Sequence, residues 1–392
     1  PSRVAAGKAT LMRHSLLILL LMLTLSALVH AERIVLQHAL TMRNLPAGDL
    51  EYKELEGEVE VRYGESLIRF GFGRYNARDG VLDCVNDVEI HESGRVLTST
   101  ELTLYEKEEK AVARGRVHIT GDSMDVRCRL ATWWRALDRL ELQSEVVVLD
   151  LADSLRLDCG SAMLDNQAGY ARATLAPVLT RSGADTLTLR ARSVEYWRGE
   201  QRALAWKNAI LSQRDLEATC DSLVWDNARR QAHLYHNPKI LQERREITGD
   251  TIRIFLDGER LDSLSVIGNA LVLSPADSVS ALLKDRLQGD LLAVSFSEGV
   301  ARRIRVEGAA RSVTFLRNDD GSSGMNVADA PRMEFSLDDG QFKSVDMGGG
   351  VQAWYIPLED PPRPDGPASE ADEGLPKAAG KGLRPPVAEP EE

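Results

Sequence analysis

The chain has no apolar run long enough to cross a bilayer as a helix, no polybasic stretch, few aromatic side chains and only four cysteines. Each shortage removes a class of function. The longest apolar run, Leu16 to Val29, falls short of the roughly 20 residues a spanning helix needs. A formal charge of −12 leaves no basic footprint for nucleic acid, and without clustered Lys and Arg there is none for electrostatic docking on a membrane surface. No close pair of Cys or His suggests zinc. The seven histidines are scattered, away from any Asp, Ser or Cys arrangement that reads as a triad. No catalytic residue, metal or cofactor is therefore expected, and the chain is read as a non-enzyme.

What is present begins with that same short apolar run. Met12-Arg13-His14 supplies a basic start, Leu16 to Val29 the apolar segment and Val29-x-Ala31 a small-residue end, which together make a secretory signal peptide cleaved after Ala31. Translation is expected to start at Met12, and residues 1–31 to be absent from the exported protein. No cysteine lies near the cleavage point, so a lipid anchor is not indicated. At the other end, residues 357–392 are rich in Pro, Glu, Asp, Gly and Ala with almost no large apolar residue, and such a tail cannot bury enough surface to order itself.

Between these ends the chain repeats. Asp-Ser/Thr followed by an apolar residue recurs at Asp122, Asp153, Asp185, Asp221, Asp250 and Asp277. A second marker recurs at Gly57, Asn86, Gly115, Ser144, Ala176, Lys207, His236 and Gly268, in steps of 29, 29, 29, 32, 31, 29 and 32 residues. A fixed period of this size signals a repeat array, counted as one elongated domain over residues 32–356. The steps lengthen to roughly 40 residues through Gly308 and Gly349, so 308–356 reads as atypical terminal repeats.

Alternation within the repeat gives its secondary structure. Val117/Ile119 and Val146/Val148 follow their markers, Leu140/Leu142 precedes one, and Met124/Val126, Leu155/Leu157, Leu187/Leu189, Leu223/Trp225 and Ile252/Ile254 follow the Asp-Ser/Thr phrase. Polar residues mostly stand between them, the period of a strand with one apolar face. Each repeat is predicted to hold about three short strands separated by turns of Asp, Asn, Gly and Arg. The Asp-Ser/Thr phrase is expected to cap exposed backbone N–H groups at strand starts. These sixteen residues form one continuous apolar face, either a filled core or a groove suited to acyl chains. Periodicity does not choose between them.

Cys128 and Cys159 occupy equivalent, inward places in successive repeats. A disulfide is geometrically open to them if their strands are neighbours; otherwise they are small core residues. Trp225 is expected in the core, Trp133 and Trp134 at a connection between strands, and Trp206 on a side that the pattern leaves undecided.

The recurring marker followed by Val-x-Ile, then Asp-Ser-Leu-x-Leu, then an alternating apolar strand, clearest in Thr219 to Val272, resembles the OstA/LptA-like family of lipopolysaccharide-transport proteins. The resemblance covers about residues 50–355. It implies an elongated, semi-closed β-jellyroll folded like a taco, whose interior holds lipid A acyl chains in the periplasm as part of a bridge between inner and outer membranes. It also implies edge-strand pairing with OstA-like domains of inner- and outer-membrane components. The alternative from another class is a filled-core β-solenoid scaffold or adhesin that binds protein or polysaccharide partners; parallel rungs with no accessible cavity would favour it.

Overall fold

Every marker of the sequence period is a corner, six of them inside a long strand and two, Ala176 and His236, between short ones. Gly57, Asn86, Gly115, Ser144, Ala176, Lys207, His236 and Gly268 all have positive φ, between 57° and 94°. At most of these corners an adjacent residue, such as Glu58, Asp87, Glu145 or Asn208, has positive φ as well. Left-handed backbone inside a strand leaves residues unpaired against the neighbour and turns the strand sharply. Gly, Asn and Asp tolerate it readily, whereas Ala176 and Lys207 adopt it with strain. At Gly268 a Cβ would overlap the carboxylate of Asp250, just before the strand Thr251–Asp257, so any side chain there would have to displace it.

The computed structural model describes residues 33–358 apart from 48–49, 153, 184–185, 215, 227, 243, 258–259, 277–279, 298–299, 318–322 and 339–340. Residues 1–31, the expected signal peptide, lie outside these, as does the tail beyond 358. Pro357 and Leu358, assigned to the tail by composition, belong to the strand Gln352–Leu358.

From Leu50 to Asp165 the repeat consists of two bent strands rather than three short straight ones. From Tyr170 onward, bent strands alternate with separate short limbs such as Tyr170–Thr174, Val178–Arg181 and Gln231–Tyr235. Val81–Glu92 carries Leu82 and Cys84 before its corner and Val88 and Ile90 after it, all facing the same interior. Two limbs of one strand look like two strands in the sequence because the corner interrupts the alternation. The return strand Met124–Trp134 likewise has a second limb, carrying Ala131 and Trp133, that the pattern did not reveal. The longer terminal steps come from longer limbs, as in Ser280–Ser297 and Val300–Arg317, with corners still at Gly308 and Gly349.

The described residues form 26 strands in a single sheet, and every pairing is antiparallel. The corners fold this meander lengthwise into two walls. Limbs such as 81–85, 110–114 and 139–143 make the first wall; 88–92, 117–120 and 146–150 make the second. The structure is thus all-β, elongated and jellyroll-like. Parallel rungs, the geometry that would have favoured a solenoid, are not among the described pairings.

The Asp-Ser/Thr phrase turns out to mark two different places. Ser123-Met124, Ser154-Leu155 and Thr186-Leu187 begin limbs of the second wall at its rim, whereas Asp221 and Asp250 sit at corners and lead into the first wall, where Leu223 pairs with Ala205 and Ile252 with Leu234. Their backbone amides donate across the corner, Asp221 N to His236 O at 3.3 Å and Asp250 N to Gly268 O at 2.8 Å. Asp153, Asp185 and the phrase at Asp277 fall among residues that are not described.

Two apolar clusters fill the space between the walls. The first runs from Leu55 to Ala173 and the second from Ala205 to Phe335. Leu82 and Leu142 in the first, and Leu234, Ile252, Val266, Leu292 and Met333 in the second, are at most 1% exposed.

Candidate functional site

The interior is closed at the corner and loosens toward the rims. Of the sixteen apolar positions singled out by sequence, Val117, Val126, Leu142, Val146, Val148, Leu155, Leu157, Leu223 and Ile252 are buried. Ile119, Met124, Leu140, Leu187, Leu189, Trp225 and Ile254 are half-buried. Most of the half-buried ones lie at the free ends of limbs, and most of the fully buried ones lie nearer the corner. The structure gathers nine into the first cluster and five into the second; Leu155 and Leu187 stand outside both.

Side chains clasp the two rims together in the first half. The Arg135 guanidinium donates to the carbonyl of Tyr63 at 3.3 Å and covers the rings of Tyr63, at 4.7 Å, and Trp133, at 5.1 Å. The Ile34 amide donates to the Glu106 carboxylate at 3.2 Å. Burial pulls Arg95 below the ordinary guanidinium value, while Glu92 and, from the opposite rim, Asp138 act against that. From Ala205 onward the seam is lined by half-buried Leu211, Leu216, Trp225, Ile247, Ile254, Val272, Leu287, Phe296 and Ile304, packed on the second cluster. This is a longitudinal apolar strip.

Both ends of the sheet are also apolar. Val35, Leu36, Leu40, Met42 and Leu45 are exposed at the first edge, and Val345, Val351, Trp354, Tyr355 and Ile356 at the last. At the first edge a cavity of about 220 Å³, bounded by Leu36, Met42 and Lys53, reaches inward to Val61 and Leu82. Among the described strands Gln352–Leu358 pairs with Ser323–Asp338 alone, which makes it an edge strand.

The four cysteines are free. The condition for bridging Cys128 to Cys159 is not met: the strand Arg139–Asp150 separates theirs, with Val146 paired directly to Cys159. Two strand spacings are about 9.5 Å, beyond the reach of a disulfide. Burial pushes the thiols of Cys128, Cys159 and Cys220 up to about 11, and that of Cys84 well above its ordinary value. Cys220 is likewise a core residue. Native protein near pH ~8 is therefore expected to leave all four thiols unmodified by an aromatic disulfide reagent, and unfolded protein to expose four. Counting the released chromophore checks this.

The histidines and tryptophans are not gathered into one site. His118 pairs with Asp125 at 2.8 Å and His91 with Glu89 at 3.1 Å. His233 lies between Tyr235 and Gln231, and burial lowers its pKa. Ser222 and His236 approach to 3.4 Å, a contact across a corner that residue spacing does not announce. Trp225 faces the interior, Trp133 packs under Arg135, and Trp206 faces outward. Among the described residues no helix is long and apolar enough to cross a membrane, which leaves strand-based insertion untouched.

The chain resembles a solved structure over part of its length. That structure is the crystal structure of LptH, the LptA-homologous periplasmic component of the conserved lipopolysaccharide transport device from Pseudomonas aeruginosa. The two are 14% identical, the match covers 36% of this chain and 82% of the other, and the TM-score is 0.20. At those values the likeness decides nothing about what this chain binds. No family model matches the chain, and no curated protein matches it.

Proposed function

We propose that this chain is an exported, periplasmic lipid carrier that holds the acyl chains of lipopolysaccharide between its two walls and passes them along a bridge between inner and outer membranes. The half-buried apolar strip along the seam from Leu211 to Ile304 carries this reading. An acyl chain laid there removes its own surface and the strip's from water, at roughly 25 cal/mol per Å² of apolar area, and needs no polar recognition. The resemblance in Thr219 to Val272 supplies the lipid class. Exposed apolar edge strands at both ends supply templates for pairing with similar domains, so that interiors could join end to end.

The exported protein is expected to take up an environment-sensitive acyl fluorophore and to release it when lipopolysaccharide is titrated in. Absence of uptake by folded protein contradicts the proposal.

The filled scaffold is the second reading, supported by the complete burial of Leu234, Ile252 and Val266 near the corners. It differs in its consequence: protein partners pair at the edges and no acyl probe enters.

A further inference from the structure

The corner between the two apolar clusters carries a cavity of about 570 Å³ on the outer face of the sheet. Three strands meet there with Thr174, Ser193 and Trp206 directly paired side by side. Their neighbours in sequence, Ala173, Val194 and Ala205, belong to the interior, so these three side chains point away from it. Arg172, Arg192 and Lys207 line it as well, with Leu175 and Ala176. The cavity is thus separate from the seam.

Its charge is unusual for the molecule. Three cationic side chains converge on one hollow of a chain whose formal charge is −12. Arg172 shares its charge with Glu195 at 3.6 Å, but among the described residues neither Arg192 nor Lys207 has an ion-pair partner. The repeat shows that this is a local departure. Asp221 and Asp250 occupy the corner position of Arg192, each donating its amide to the following corner as Arg192 does to Trp206 O and Lys207 O. Two repeats earlier the same position is Arg129, yet that guanidinium is neutralised by Glu145 through contacts at 2.9 and 3.0 Å. In the Arg192 repeat the residues equivalent to Ser144 and Glu145 are Lys207 and Asn208, so the neutralising carboxylate is replaced by an amide, a second cation lines the hollow, and a bound anion would relieve the two.

The rest of the lining is not that of a bare anion site. Trp206 is 39% exposed and offers an indole face, on which the C–H face of a pyranose can stack. The Ser193 side chain, only 5% exposed, and that of Thr174 supply hydroxyls that can donate to or accept from a sugar. The volume lies in the usual range for small-ligand sites. Guanidinium groups bind phosphate oxygens in parallel pairs of hydrogen bonds, and Lys207 adds a point charge.

From these features we infer that the outer corner at Arg192 binds a phosphorylated sugar, the phosphate held by Arg172, Arg192 and Lys207 and the ring laid on Trp206. The sugar phosphate is either soluble or the head group of a glycolipid.

Calorimetric titration of the whole exported chain with glucose 6-phosphate, glucose and inorganic phosphate tests the inference. Glucose 6-phosphate is expected to bind at least tenfold more tightly than either fragment. The double variant Arg192→Ala/Lys207→Ala is expected to lose that binding by tenfold or more, and Trp206→Ala to weaken glucose 6-phosphate while leaving inorganic phosphate unchanged. Circular dichroism and acyl-probe uptake should be unaltered in both variants, which separates this site from the interior. A further titration with micelles of a phosphorylated glycolipid identifies the source: tighter binding than the free sugar phosphate, lost in the double variant, assigns a head group, and binding of the free sugar phosphate but not of the micelles assigns a soluble ligand. No binding of glucose 6-phosphate, binding indifferent to the double variant, or equal binding of either fragment overturns the inference.

Discussion

Ile252→Ala is expected to unfold the second half of the domain before the first. Ile252 is fully buried between Leu234 and Val266 on the adjacent strands, each of them fully buried too. Truncating such a side chain removes its transfer free energy and leaves a cavity that two rigid strands cannot collapse, a loss of about 2–5 kcal/mol. Whole domains typically hold about 5–15 kcal/mol. Because each bent strand contacts chiefly its neighbours and the core is divided into two clusters, the damage should propagate along the second cluster first. The cysteines report this directly: Cys220 lies in the second cluster, and Cys84, Cys128 and Cys159 lie in the first. In mild denaturant the variant should expose Cys220 to thiol reagents while the other three remain protected. Simultaneous exposure of all four would mean that the two clusters unfold as one. Arg253→Ala, exposed on the outer face one residue away, is expected to change stability by no more than about 0.5 kcal/mol.

Ile254→Asp is expected to abolish acyl-probe uptake, by tenfold or more, in a protein that still folds. Ile254 is the next inward position after Ile252, but it sits at the rim and is only half-buried. A carboxylate there can reach water when the seam is empty. It must be desolvated once an acyl chain covers it, and that cost falls on binding rather than on folding. Thermal unfolding and probe titration of the same variant separate the two effects. Leu155→Asp would be a poor choice for this purpose, because Leu155 is 4% exposed and a charge there acts on folding. Unchanged uptake by Ile254→Asp would place the probe away from the seam.

The period and the inward faces were legible because a two-residue alternation and a recurrent left-handed residue both leave direct marks on sequence. All eight corners between Gly57 and Gly268 coincide with the positions that marked the repeat. Continuity across a corner was not legible: Asn86 and Asp87 look like a turn between two strands, since the same residues favour both a hairpin turn and a left-handed bend inside one strand. For the same reason the Asp-Ser/Thr phrase conflated the rim at Ser123 with the corner at Asp221. The sixteen interior residues were found by their spacing, but their division into a closed strip at the corner and a looser strip at the rim depends on how far the walls diverge, which no local pattern encodes. The clasp of Arg135 on Tyr63, 72 residues apart, and the cavity at Arg192 join residues from different repeats. Only the appearance of arginine where later repeats carry Asp221 and Asp250 hinted at the latter.

The central claim is that lipid occupies the space between the walls, and Leu187 is the position that tests it most directly. Leu187 begins a limb of the second wall at its half-buried rim, pairs with Gln213, and points inward, while Arg190 on the same limb is exposed. A photoreactive residue at Leu187 in the exported chain, irradiated in cells, is predicted to form an adduct with lipopolysaccharide, and the same residue at Arg190 to form none. Folded protein that yields no lipid adduct at Leu187, or equal adducts at both positions, would contradict a lipid-bearing interior.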